Sequence, residues 1–160
     1  MPRALRLIAL PALLLLLLAP AAARADDQSF ARTAITGAQT LLRYERATGS
    51  ALQKVDRRGV PAVPGARRAI KQVRRQVDTL LKAVRPEQTS SPDGAVAKKT
   101  LFALLRREKD GYATLDRALT AYVAGDARTA RTLLSRARRA LAKVSSEAAT
   151  LGAKLRELAA

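Results

Sequence analysis

An all-α protein, built as an up-and-down antiparallel four-helix bundle, is what this sequence predicts, and three observations predict it. Apolar residues recur three and four apart along most of the chain. No stretch alternates convincingly with period two. Pro, Gly and helix-capping residues divide the periodic run into four segments. Amphipathic helices must bury their stripes against one another, and short joints make neighbours antiparallel. The rival arrangement is a long helical hairpin completed by dimerisation, because the stripes come close to the roughly 3.5-residue period of coiled coils.

Ahead of the helices, residues 1–25 read as a secretory signal peptide. Arg3 and Arg6 form a positive start, Leu7 to Leu18 is apolar, and Ala23-Arg24-Ala25 has the small-x-small pattern of a cleavage site. The uncharged run Leu7 to Ala23 covers 17 residues and contains Pro11 and Pro20. That is slightly short of the ~20 residues a spanning helix needs, and an uncleaved anchor is the rival reading. No Cys follows for a lipid anchor, and the two Arg are not adjacent, which excludes a twin-arginine signal. The expectation is an exported protein, in periplasm, cell wall or medium, cleaved after Ala25 into one all-helical domain of residues 26–160.

The first helix is expected over 29–58, with Phe30, Ala34, Ala38, Leu41, Leu52 and Val55 on one stripe. Gly59 to Gly65, with Pro61 and Pro64, should end it in a stiff link. The second, 66–85, has the cleanest pattern: Ile70, Val73, Val77, Leu80 and Val84. Pro86 closes it, and Ser91-Pro92-Asp93 is a strong start for a third over 92–124, with a capping hydroxyl, Pro in the first turn and an acid at the positive dipole end. Its inward positions are Leu101, Leu104, Leu105, Tyr112, Leu115, Leu119 and Tyr122. Gly125 stops that helix and Asp126 caps the fourth, 126–158. There Ala127, Ala130, Leu134, Ala137, Leu141, Val144, Ala148, Leu151, Leu155 and Leu158 keep near-heptad spacing. The second helix is about ten residues shorter than its neighbours, so one end of the bundle should be either open or capped by the two proline-containing links.

Composition removes whole classes of chemistry. The 160 residues contain no Cys and no His. That excludes disulfides, thiol nucleophiles, His-containing triads and Cys- or His-ligated metals and haem. Di-iron bundles need Glu-x-x-His pairs, which cannot occur here. No nucleophile-elbow motif surrounds any Ser. The expectation is a protein that is not an enzyme and carries no cofactor.

Charge supplies the positive lead. Thirty Lys and Arg face 13 Asp and Glu, a net charge of +17, or +14 after the expected cleavage. On the second helix Arg67, Arg68, Lys71, Arg74, Arg75, Lys82 and Arg85 fall within an arc of roughly 120°, opposite the apolar stripe, with Asp78 the only acid among them. On the fourth, Arg128, Arg131, Arg136, Arg138, Arg139 and Lys143 cover the outer side, and no acid lies between Asp126 and Glu147. One-signed faces attract polyanions, and the Arg fork suits phosphate. Outside the cytoplasm the partners to expect are lipid head groups, lipopolysaccharide or teichoic phosphates, or non-specific nucleic acid. Three Tyr and two Phe are too few for a base-stacking platform.

Two other expectations belong to different classes. An open end or partly covered groove would suit a partner-binding or chaperone-like envelope module, acting as a monomer or homodimer. Glu45 and Glu108 lie on the inward stripes of the first and third helices, each near mid-helix, with Tyr44 and Tyr112 beside them and Gly49 and Gly111 nearby. Diagonal helices that run parallel would bring the two carboxyls to one level, where a bound cation, a water or a proton must compensate them, unless long Arg side chains reach in from the stripe edges or the helices roll the acids outward.

Overall fold

The computed structural model describes the backbone of residues 9–160 and the side chains of residues 25–160. The chain forms α1 (Ala9–Arg58), α2 (Val63–Val84), α3 (Pro92–Val123) and α4 (Ala127–Ala159), with a single 3-10 turn, Val60–Ala62, between α1 and α2. The positive start of the expected leader, within residues 1–8, lies outside the described residues. From Ala9 onward the backbone of the leader is continuous with α1, so this helix begins ahead of the expected start at residue 29.

Each helix packs on its neighbours in sequence, and α4 returns to α1, so α1/α3 and α2/α4 are the diagonal pairs of a four-helix bundle. Cross-helix partners show the antiparallel register. Arg67 meets Asp116 and Asp78 meets Lys109 across α2 and α3, while Arg107 meets Glu147 and Asp93 meets Lys154 across α3 and α4.

The stripe of α2 is the centre of the core. Val63, Ile70, Val73, Val77, Leu80 and Val84 are all essentially inaccessible, against Phe30, Ala31 and Ala34 of α1 and Leu101, Leu104 and Leu105 of α3. Burying each such branched side chain stabilises the fold by about 1.5–3 kcal/mol. Close approach of α1 to α2 depends on Gly37, where a Cβ would collide with the Leu80 side chain.

The joint before α2 differs from the expected stiff link. Gly59, at φ +68°, makes the turn, and helix resumes almost at once, so α2 starts at Val63 rather than 66. Pro61 and Pro64 both fall in first turns, where a missing N–H costs nothing and the fixed φ favours helix. They start helices here instead of stiffening a coil. The α3 and α4 starts are as read: Ser91 Oγ accepts from Gly94 N at 2.9 Å, and Asp126 Oδ1 accepts from Thr129 N at 3.0 Å, after Gly125 at φ +78°.

The shortness of α2 is made up by the link that follows it. Glu87 accepts from Ser29 Oγ and Thr33 Oγ1, both at 2.9 Å, and the Lys98 ammonium donates to the carbonyls of Arg85 and Glu87. Asp27 is buried against the start of α3, where its Oδ1 accepts from Ser90 N at 3.0 Å. A Cβ on Gly94 would collide with that carboxylate. This end of the bundle is therefore capped.

The fourth helix is less covered than its heptads suggest. Ala130, Ala137, Val144 and Leu151, seven apart, are buried. The alternate series is looser: Leu134 and Leu141 are half-buried and Ala127 and Ala148 exposed, although Leu155 is buried. The looser series faces α1 across a seam that is partly open. Ala38 of α1 and Tyr122 of α3, both expected inside, are exposed along it.

Candidate functional site

The two basic faces lie on opposite corners of the bundle, because α2 and α4 are diagonal. They do not merge into one surface. On α2, Arg67 is drawn toward α3 and bound by Asp116 through two hydrogen bonds, Nε to Oδ1 at 2.7 Å and a terminal nitrogen to Oδ2 at 3.1 Å. That bond raises the Arg67 pKa above its ordinary value. The only acid of the arc, Asp78, is held by Lys109 at 2.6 Å. Arg68, Lys71, Arg75, Lys82 and Arg85 are exposed and make no ion pair among the described residues.

Between the start of α2 and the end of α3 lies a shallow cleft of about 530 Å³. Its apolar lining includes Val63, Ile70 and Val123, and its charged lining is Arg67, Arg68, Lys71 and Arg74 with Asp116 the one acid. Arg74 is half-buried, and its Nε is buried without a hydrogen-bond partner. A buried donor left unmade is costly, on the order of 1–3 kcal/mol.

On α4, Arg128, Arg131, Arg136, Arg138, Arg139 and Lys143 are all exposed. Lys143 lies 3.9 Å from Glu147, whose carboxylate is already held by Arg107 of α3 at 2.7 Å. Arg131 and Arg138 lean toward α1 and edge the seam, and the other cations spread outward.

The seam itself holds two grooves between α1 and α4. One, of about 490 Å³, lies near the α3–α4 joint and is lined by Leu52, Val55, Leu119, Tyr122 and Leu134 among others. The other, of about 530 Å³, has Glu45, Glu108 and Tyr112 on its wall. Sequence reasoning placed the two glutamates at one level, and the structure brings them together. Glu108 is 5% exposed, and its Oε1 has no hydrogen-bond partner. Burial first, then the charge of Glu45 and a proton the two can share, pushes the Glu108 carboxyl up to about 8. Tyr112, buried beside them, is raised as well, again by burial first and by the two carboxylates next. Tyr44 by contrast is exposed, and nothing packs within 4 Å of where a Gly49 side chain would begin.

Asp27, Asp26 and Glu87 escaped the sequence reading as structural groups. Their partners lie 54 to 64 residues away in the chain, and the one available signal, an acid pair just after an apolar run, also fits a cleavage boundary. Among the described residues no three His, Cys, Asp or Glu side chains gather where they could hold a metal ion. The chain matches no protein-family model, curated protein or solved structure.

Proposed function

We propose that this is an exported, non-enzymatic helical-bundle protein that binds an anionic component of the cell envelope, a phosphate-bearing polymer or lipid surface, through the Arg-rich faces of α2 and α4. The observation that carries the reading is the state of the α2 face. Its one acid, Asp78, is committed to Lys109 of α3, five exposed cations have no ion-pair partner among the described residues, and Arg74 holds a buried donor without an acceptor at the edge of a cationic cleft. Single-sign fields of this kind raise the local concentration of polyanions, and Arg forks bind phosphate oxygens in pairs. Cleavage after Ala25 would keep Asp26 and Asp27, and with them every interaction of the first helix described above.

The test is binding to anionic vesicles, lipopolysaccharide, teichoic acid and DNA at two salt concentrations. The comparison protein carries Arg68→Glu, Lys71→Glu, Arg75→Glu and Lys82→Glu. Affinity for the preferred ligand should drop at least tenfold in the variant, with a shallower salt dependence, because fewer counterions are released. Affinity that stays flat from low to high salt would sink the reading. A second reading, an envelope module that holds a partner's apolar segment, is favoured by the half-covered seam. Salt-insensitive binding together with uptake of an apolar dye by the folded protein selects it.

A further inference from the structure

We propose that the groove between α1 and α4 containing Glu45 and Glu108 binds an amphiphilic cation: an organic amine whose ammonium lies against the two carboxyls and whose apolar body lies along Leu42, Leu141 and Ala148. The Glu108 side chain is nineteen-twentieths buried, lines the groove, and has an oxygen with no hydrogen-bond partner. Neither carboxyl is ion-paired among the described residues, in a protein with thirty Lys and Arg. The sequence surrounds this pair with cations, yet none is delivered to it.

The groups facing the pair come from each packed helix. α1 contributes Glu45, α3 contributes Glu108 and the Tyr112 hydroxyl, and α2 contributes only Leu80. On α4 the sole charged lining residue is Arg156. The contacts Gly111–Leu141 and Arg107–Glu147 bracket the level of Glu108 on α4 near Val144. Arg156 thus lies about 18 Å further along that helix, at about 1.5 Å per residue, too far to neutralise the carboxyls.

The chemistry selects the class of cation. Two carboxyls and a phenol supply fewer protein oxygens than the six to eight a calcium ion takes, and a magnesium ion held here would keep several waters against mostly apolar walls. The remaining walls are mostly apolar, with Gln39, Ser145 and the distant Arg156 as the polar exceptions, and a groove of about 530 Å³ has the size of a small-molecule site. An ammonium on an aliphatic or aromatic body matches both parts. In the free protein Glu108 keeps its proton at neutral pH, so a bound ammonium displaces that proton to the solvent. Apart from ionisation of that O–H bond, no covalent bond changes.

Calorimetric titration of the purified protein with octylammonium tests this, with octanol and octanoate as neutral and anionic counterparts of equal length. Saturable one-to-one binding of octylammonium is expected, with octanol at least tenfold weaker and octanoate weaker still. Repeating the titration at pH 7 in buffers of different ionisation heat should reveal release of up to one proton. The double variant Glu45→Gln, Glu108→Gln should lose at least tenfold in affinity. Ala148→Phe, which narrows the groove and leaves the carboxyls in place, should lose as much, so the outcome does not hang on how well the Gln variant folds. Equal affinity for octanol, unchanged binding in both variants, or no saturable binding of octylammonium each overturns the proposal. So does a melting temperature raised by calcium or magnesium but not by the amine.

Discussion

α2 and α4 stand on opposite corners of one bundle with similar outer faces and very different inner ones. α2 buries seven of its 22 residues, and α4 only five of its 33. The difference comes from what lies on either side. α2 sits between α1 and α3 with β-branched residues at most inward positions and ion pairs along one edge. α4 packs closely on α3 and leaves a partly open seam toward α1. An amphipathic pattern says which way a helix faces, and how completely that face is covered depends on its neighbours.

The largest effect that could sharpen this contrast concerns pH. Burial and Glu45 raise the Glu108 carboxyl in the folded protein to about 8 from an ordinary 4.5. The folded state therefore holds that proton more tightly than the unfolded chain does. Stability should fall as pH rises from the unfolded value toward about 8, by at most about 1.4 kcal/mol per pH unit. Melting temperatures between pH 5 and 9 should show this slope in the parent and a flatter one in Glu108→Gln. A parallel decline in both proteins would mean that the seam is wet enough to solvate the carboxylate.

Core truncation comes next. Ile70→Ala on α2 removes a fully buried branched side chain and should cost about 3 kcal/mol in urea unfolding. Leu134→Ala on α4, from a half-buried position beside the seam, should cost about 1 kcal/mol, because less area is lost from cover. Equal costs would show the seam to be as well covered as the α2 core. The third test concerns the capped end, where the expected cost falls between those of the two truncations. Gly94→Ala forces the Asp27 carboxylate away from the α3 start and should cost about 2 kcal/mol. Asp27→Asn, which keeps the shape and removes the charge, should cost less in the same assay.

Helix number, order and most boundaries were legible in the sequence, because they are set locally. Ser91, Gly125 and Asp126 do in the fold what their chemistry suggests in isolation. The α2 start was misplaced because Pro61 and Pro64 read as breakers until their place in a first turn is known. The meeting of Glu45 with Glu108 was legible from stripe position and bundle topology together. Which arginines stay unpaired was not. Arg67 finds Asp116 49 residues away, and no local pattern distinguishes it from Arg68. The half-open seam was equally hidden, since a heptad stripe looks the same whether one or both of its series meets a partner.

The order of contacts along the chain also has a kinetic side. Helices α3 and α4 are joined through Gly125 and Asp126 and pack along their length, so their contacts join segments close in sequence. Closing α1 onto α4 joins the first helix to the last. Local pairings form at little entropic cost, and distant ones bear the cost of loop closure. The hairpin of α3 and α4 should therefore assemble early, and the α1–α4 seam late. Substitutions along the seam should then chiefly speed unfolding, whereas those between α3 and α4 slow folding.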